Sequence, residues 1–335
     1  MKNFKKNTII IFLLTILVLY FLLKDDFNSI MHELVHVNHL WILVAVFSFL
    51  VYLLFKAESL RIVAVKNYKD FTLKKSFLQV LIVTFFNGVT PFQTGGQPMQ
   101  IYMLKKNNLS VSKASNIVIQ EFIFYQVALV LLGLCAVVLN YFCHFFPKVH
   151  LLQVLVVFGF IFNVIVVLGL LLVSFNRKIT NFLLKGSARV LAKIHIIKDK
   201  EKALKKIDTR LNDFHENAIY LLSNRKMFIK GIVVNFIGLL FFYITPLFVA
   251  YGFGISHINV IEVITASAYI YLVGSFVPLP GATGGLEYSF MQFFGNFING
   301  ASLPAILIIY RTITYYLPIM IGAFVFNFYK GDGKE

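Results

Sequence analysis

Apolar runs recur along the whole chain, at 8–23, 40–55, 116–140, 151–175, 232–251 and 303–328, and the basic residues fall in the gaps between them. As helices, runs of this kind are long enough to cross the hydrocarbon core of a bilayer. The composition agrees: of 335 residues, 59% are hydrophobic, 37 are Phe and only 14% are charged. That balance excludes a soluble enzyme and a disordered chain. A disulfide scaffold is excluded as well, because the only cysteines are Cys135 and Cys143. On one helix those two would stand roughly 12 Å apart, beyond disulfide reach.

A net charge of +16 would suit a nucleic-acid binder, but the positions of the charges decide otherwise. All but three of the 31 basic residues, the exceptions being Lys24, Lys148 and Arg311, fall in segments that the positive-inside tendency puts in the cytoplasm. No nucleic-acid partner is expected. The run at 8–23 follows Lys2, Lys5 and Lys6 like the start of a signal peptide, yet no small-residue cleavage site precedes Lys24, Asp25 and Asp26. It reads as an uncleaved first span leaving the cytoplasm, and 40–55 returns. Counting onward, both termini are expected in the cytoplasm, with 1–335 forming one integral domain of a cell-membrane protein.

Two further stretches are apolar but broken. Residues 77–104 are interrupted at 87–98 and flanked by basic clusters at both ends, which predicts a re-entrant hairpin dipping in from the cytoplasm. Residues 260–298 are interrupted at 277–287, and parity makes this second hairpin dip from outside. The breaks share a pattern: Pro91-Phe-Gln-Thr94-Gly95-Gly96 and Pro280-Gly-Ala-Thr283-Gly284-Gly285, with Thr283 following Thr94 by 189 residues. A repeated break with opposed insertion sides is the mark of an inverted repeat. The expected fold class is therefore all-α and polytopic, with six full spans and two re-entrant hairpins. Between the repeats, 177–230 is strongly basic, and Leu204, Ile207, Leu211, Phe214 and Ala218 recur at helical spacing. That pattern suits an amphipathic helix on the membrane surface or a solvated helical hairpin.

The span after each hairpin carries one ionisable residue, Glu121 or Arg311, placed 27 and 28 residues beyond Thr94 and Thr283. Such a residue inside lipid needs a partner or a wet cavity. Gly-Gly at a half-helix start lets backbone N–H groups approach an anion, the helix dipole helps, and Arg311 offers a fork suited to phosphate. The candidate head-group site is Thr94, Gly95, Gly96, Glu121, Thr283, Gly284, Gly285, Glu287 and Arg311. Glu287 can instead cap its half-helix, and Glu121 can bind a cationic head group or pair with Arg311. The purely structural alternative is a salt bridge that fixes helix packing.

At these residues the sequence resembles the transmembrane domain of the lysylphosphatidylglycerol synthase/flippase family, also called multiple peptide resistance factor. The matching stretches are Thr90-Pro-Phe-Gln-Thr-Gly-Gly-Gln-Pro-Met-Gln-Ile-Tyr102, Phe276-Val-Pro-Leu-Pro-Gly-Ala-Thr-Gly-Gly-Leu-Glu287 and Arg311-Thr-Ile-Thr-Tyr-Tyr-Leu-Pro318. The resemblance implies movement of aminoacylated phosphatidylglycerol or another lipid between leaflets of a bacterial membrane. Lower surface charge and resistance to cationic peptides would follow. The chain stops at Glu335 without the soluble aminoacyltransferase domain of the full-length proteins, so no catalytic residues for lysyl transfer are expected.

The expected activity is that of a phospholipid flippase. The alternatives are a membrane scaffold for a separate lipid-modifying enzyme, and phosphatidylglycerol lysyltransferase by family inheritance. A homo-oligomer is compatible with either. No cofactor is expected, since there is no phosphate-binding loop or serine elbow. His32-Glu-Leu-Val-His36 matches a zinc-protease motif, but His39 is wrongly spaced and the segment lies in a loop, so the match reads as fortuitous and no metal is expected. His144, His150, His195, His215 and His257 form no ligand set by spacing.

Overall fold

The structure, a computed structural model, describes residues 27–66, 68–146, 150–182, 186 and 224–329. The expected first span at 8–23 and most of the basic segment 177–230 lie outside the described residues. Among the described residues there is no strand. The helices are α1 (Phe27–Val35), α2 (His39–Ala64), α3 (Leu73–Gly88), α4 (Gly96–Lys106), α5 (Val111–Cys143) and α6 (His150–Phe175). They continue with α7 (Arg225–Gly252), α8 (Val260–Gly274), α9 (Gly285–Phe294) and α10 (Ser302–Phe328).

Five of these helices, α2, α5, α6, α7 and α10, are long and apolar enough to cross a membrane. At 26 residues α2 reaches about 39 Å, more than the roughly 30 Å of hydrocarbon in a bilayer. Each of the five matches an apolar run read from the sequence, and the chain is an all-α polytopic membrane protein. Helix α6 turns Phe158, Ile161, Ile165, Leu168 and Leu172 outward, as a helix facing lipid tails does.

Polar caps, not the first apolar residue, set where helices begin. The side chains of Asn38, Thr72, Ser110, Asn224 and Asn259 accept from backbone N–H groups in the first turns of α2, α3, α5, α7 and α8. This is why α5 starts at Val111, ahead of the apolar run at 116.

Helices in lipid gain nothing from excluding water, so small polar contacts hold them together. Along the α2–α7 interface Ser48 Oγ donates to the Phe241 carbonyl (2.7 Å) and Asn235 Nδ2 to Ser59 Oγ (2.6 Å). Tyr52 stacks on Phe242 with centroids 4.6 Å apart. Across the α6–α8 contact Asn163 Nδ2 donates to Ser275 Oγ (2.9 Å).

The two broken segments are helix–turn–helix hairpins. Helix α3 returns as α4 through a 3-10 turn at Pro91–Gln93, and α8 returns as α9 through one at Pro280–Ala282. The two turns touch each other, and α10 packs along α3. Helix α10 is not a regular α-helix throughout: a π turn spans Thr312–Tyr316, directly after Arg311. Such insertions collect at functional positions.

Candidate functional site

The repeated pattern builds the same turn twice. In the first hairpin Phe92 and Gln93 have positive φ (52° and 55°), and in the second Gly281 and Ala282 do (62° and 54°). Thr94 N–H and Oγ1 both donate to the Pro91 carbonyl (3.2 and 3.0 Å), and Thr283 N–H and Oγ1 to the Pro280 carbonyl (3.2 and 2.7 Å). Proline fixes the first φ of each turn, and threonine closes the carbonyl that the turn exposes.

The surroundings then differ. Pro91, Phe92, Gln93 and Thr94 are exposed, whereas Gly281, Ala282 and Thr283 are buried. Over the second turn sits Arg311. Its Nη2 donates to the Gly281 carbonyl (3.2 Å), and its Nε lies 2.7 Å from Glu287 Oε1, with side chains only 4% and 5% exposed. That contact is charge against charge rather than a well-aligned hydrogen bond. The guanidinium also lies over the Tyr315 ring, 4.2 Å from its centroid, and Tyr315 Oη donates to the Gly88 carbonyl at the end of α3 (2.9 Å).

Three of the four glycine N–H groups expected to cradle an anion already have acceptors inside the protein. Gly95 N–H donates to Thr90 Oγ1 (2.8 Å), Gly96 N–H to Asn87 Oδ1 (2.9 Å) and Gly284 N–H to Glu287 Oε2 (2.6 Å). Glu287 thus holds the start of α9 with one oxygen, the capping role open to it, and Arg311 with the other, a partner suggested instead for Glu121. Asn87 and Thr90 lie outside the expected head-group set. Their signal was position: short polar side chains where an apolar helix stops.

Glu121 lies elsewhere. It is buried on α5, and its electrostatic neighbour is Lys56 of α2, not Arg311. The sequence carried no sign of Lys56, which reads as a flanking charge of the span at 40–55. The structure therefore brings Gly284, Glu287 and Arg311 together beside the buried Thr283, with the Thr94 turn against that turn, and leaves Glu121 in a second centre.

The zinc-protease motif starts on α1 and ends at His36, one residue past it. The His32 and His36 rings are 4.1 Å apart, His36 Nδ1 is 2.7 Å from the His32 carbonyl oxygen, and Glu33 Oε2 accepts from Ser302 Oγ (3.3 Å). Among the described residues no group of three or more His, Cys, Asp or Glu side chains could hold a metal ion.

Comparison with known proteins puts this arrangement in context. A UPF0104 membrane protein of Archaeoglobus fulgidus is 25% identical over 308 residues, covering 86% of this chain and 87% of that protein. A family model, the lysylphosphatidylglycerol synthase TM region, matches residues 8–322, which takes in both hairpins and Arg311. The chain belongs to the family of the lysylphosphatidylglycerol synthase TM region.

Proposed function

We propose that this chain moves a phospholipid between leaflets of the cell membrane, with the head group passing the junction of the two hairpins. In this reading the hairpins dip in from opposite sides, both termini are cytoplasmic, and aminoacylated phosphatidylglycerol is among the lipids carried. Resistance to cationic peptides follows from the changed surface charge. The observation that carries the reading is the Arg311–Glu287 pair, buried at 2.7 Å where two broken segments of a membrane protein meet.

Two charges held out of water are no efficient way to stabilise a fold, since an apolar pair of similar volume often serves as well or better. A guanidinium kept at that depth has a use if it exchanges one anion for another. A lipid phosphate takes the place of Glu287 on the Arg311 fork, which suits bidentate phosphate binding. The displaced carboxylate keeps its bond from Gly284 N–H. The exchange lets a charged head group enter the junction without leaving either side chain bare.

The test is leaflet exchange of head-group-labelled lipids in liposomes containing the purified chain. Faster exchange than in empty liposomes is expected for at least one anionic or aminoacylated lipid, with Arg311→Lys keeping part of it because charge survives while the fork is lost. No acceleration across several lipid types would overturn the reading.

A further inference from the structure

A second charged centre lies between α2 and α5. Glu121 is only 8% exposed, and among the described residues no hydrogen bond or ion pair engages it, although Lys56 acts on it electrostatically. Lys56 has not closed on that carboxylate. Its Nζ stands over two tyrosine rings instead, 4.8 Å from the Tyr125 centroid and 5.9 Å from that of Tyr52. The other carboxylate nearby along α2, Glu58, is already engaged by Arg61 (2.6 and 2.9 Å) and approached by Lys230 (3.9 Å). Glu121 stands one helical turn before Tyr125 on α5, the ring that Lys56 covers, so a cation and a carboxylate flank one aromatic side chain without an ion pair between them, whereas Arg311 and Glu287 are shut on each other.

A buried carboxylate normally draws in a cation, because an unpaired charge is costly in an apolar setting. An open pair fits a ligand that carries both signs at a matching separation. We propose that Lys56, Glu121, Tyr52 and Tyr125 form a binding site for a zwitterionic phosphoethanolamine group. Its phosphate meets the Lys56 ammonium, and its own ammonium meets Glu121 against the tyrosine faces, which attract cations. The group brings no net charge into the interior. A phosphatidylglycerol head group has no ammonium and leaves Glu121 bare, which makes the site selective by an unpaired charge. Nothing in this assignment depends on transport past Arg311.

The full chain in detergent micelles is titrated with dihexanoyl-phosphatidylethanolamine, dihexanoyl-phosphatidylglycerol and free phosphoethanolamine. Calorimetry reads binding, and mass spectrometry reads reductive methylation of Lys56. The ethanolamine lipid is expected to bind about tenfold more tightly than the glycerol lipid and to protect Lys56. Glu121→Gln and Lys56→Gln should each lose that preference, Tyr125→Phe should keep it, and Tyr125→Leu should weaken it. Tighter binding of the lipid than of free phosphoethanolamine makes the membrane the source; the reverse makes it a soluble zwitterion, and both support the site. Equal binding of the two lipids by the unaltered chain would overturn it, as would a Glu121→Gln variant that keeps the preference. Where a variant does not fold, protection of Lys56 in the unaltered chain decides alone, and its absence overturns the site. Binding without leaflet exchange would leave this site standing and remove only the transport reading.

Discussion

The two hairpin tips have the same backbone and opposite environments. Both turn on a proline, use two residues of positive φ and close with a threonine, yet the tip at Pro91–Gln93 is exposed and the one at Pro280–Ala282 is buried under Arg311. The Pro-x-x-Thr part of the shared pattern dictates the turn. What each tip does is dictated by residues outside the pattern, Arg311, Tyr315 and Glu287, and by glycine rather than phenylalanine at the second turn position. Tip one strains a phenylalanine into a left-handed conformation at that position; tip two has glycine there and uses the missing side chain to seat the Tyr315 ring, while Ala282, like Gln93, keeps a positive φ.

The contrast can be broken most sharply at the charge pair. Arg311→Ala leaves Glu287 buried without its cation and should cost about 3–5 kcal/mol of stability, measured by denaturant or thermal unfolding in detergent. The double variant Arg311→Met with Glu287→Gln should recover most of that loss. A single alanine variant as stable as the unaltered chain would mean that the pair does not hold the second tip. Next comes Gly281→Ala, whose Cβ would sit 2.2 Å from the Tyr315 ring at a φ of +62°. A loss of roughly 1–3 kcal/mol is expected. At the matching position of the first tip, Phe92→Gly should be neutral or stabilising by up to about 1 kcal/mol, since it removes left-handed strain and little packing. Equal effects at the two sites would erase the difference drawn here. The smallest contrast is at the threonines. Thr283→Val removes a buried hydrogen bond and should cost about 1–2 kcal/mol, while Thr94→Val, at an exposed turn, should stay within about 0.5 kcal/mol by the same unfolding measurement.

Much of the fold was legible because membrane helices announce themselves by length and apolarity. The runs at 40–55, 116–140, 151–175, 232–251 and 303–328 each lie inside a helix, and the charges that bound them are local facts of the chain. The breaks were legible for a similar reason, since proline, glycine and threonine at fixed spacing specify a turn wherever they occur. Partners were not. Glu287 and Arg311 belong to different helices, and nothing local distinguishes a capping glutamate from one that also binds an arginine. Pairing with Arg311 was one of two roles open to Glu121, a cationic head group being the other; the chain puts Lys56 nearest in charge to it and lets Glu287 meet the arginine. Helix α1 and the π turn of α10 carried no periodic signal. The first is short, and the second arises where one residue is accommodated between two regular stretches.

That π turn sets the geometry of α10 in a way that reaches past its own residues. Arg311 grasps the carbonyl of Gly281 in the second hairpin, and Tyr315, whose ring rests against Gly281, reaches the carbonyl of Gly88 in the first. One helix is thereby a crossbar bolted to both hairpins. A twist of α10 large enough to free one of these carbonyls would disturb its hold on the other, since a single helix ties the two hairpins together.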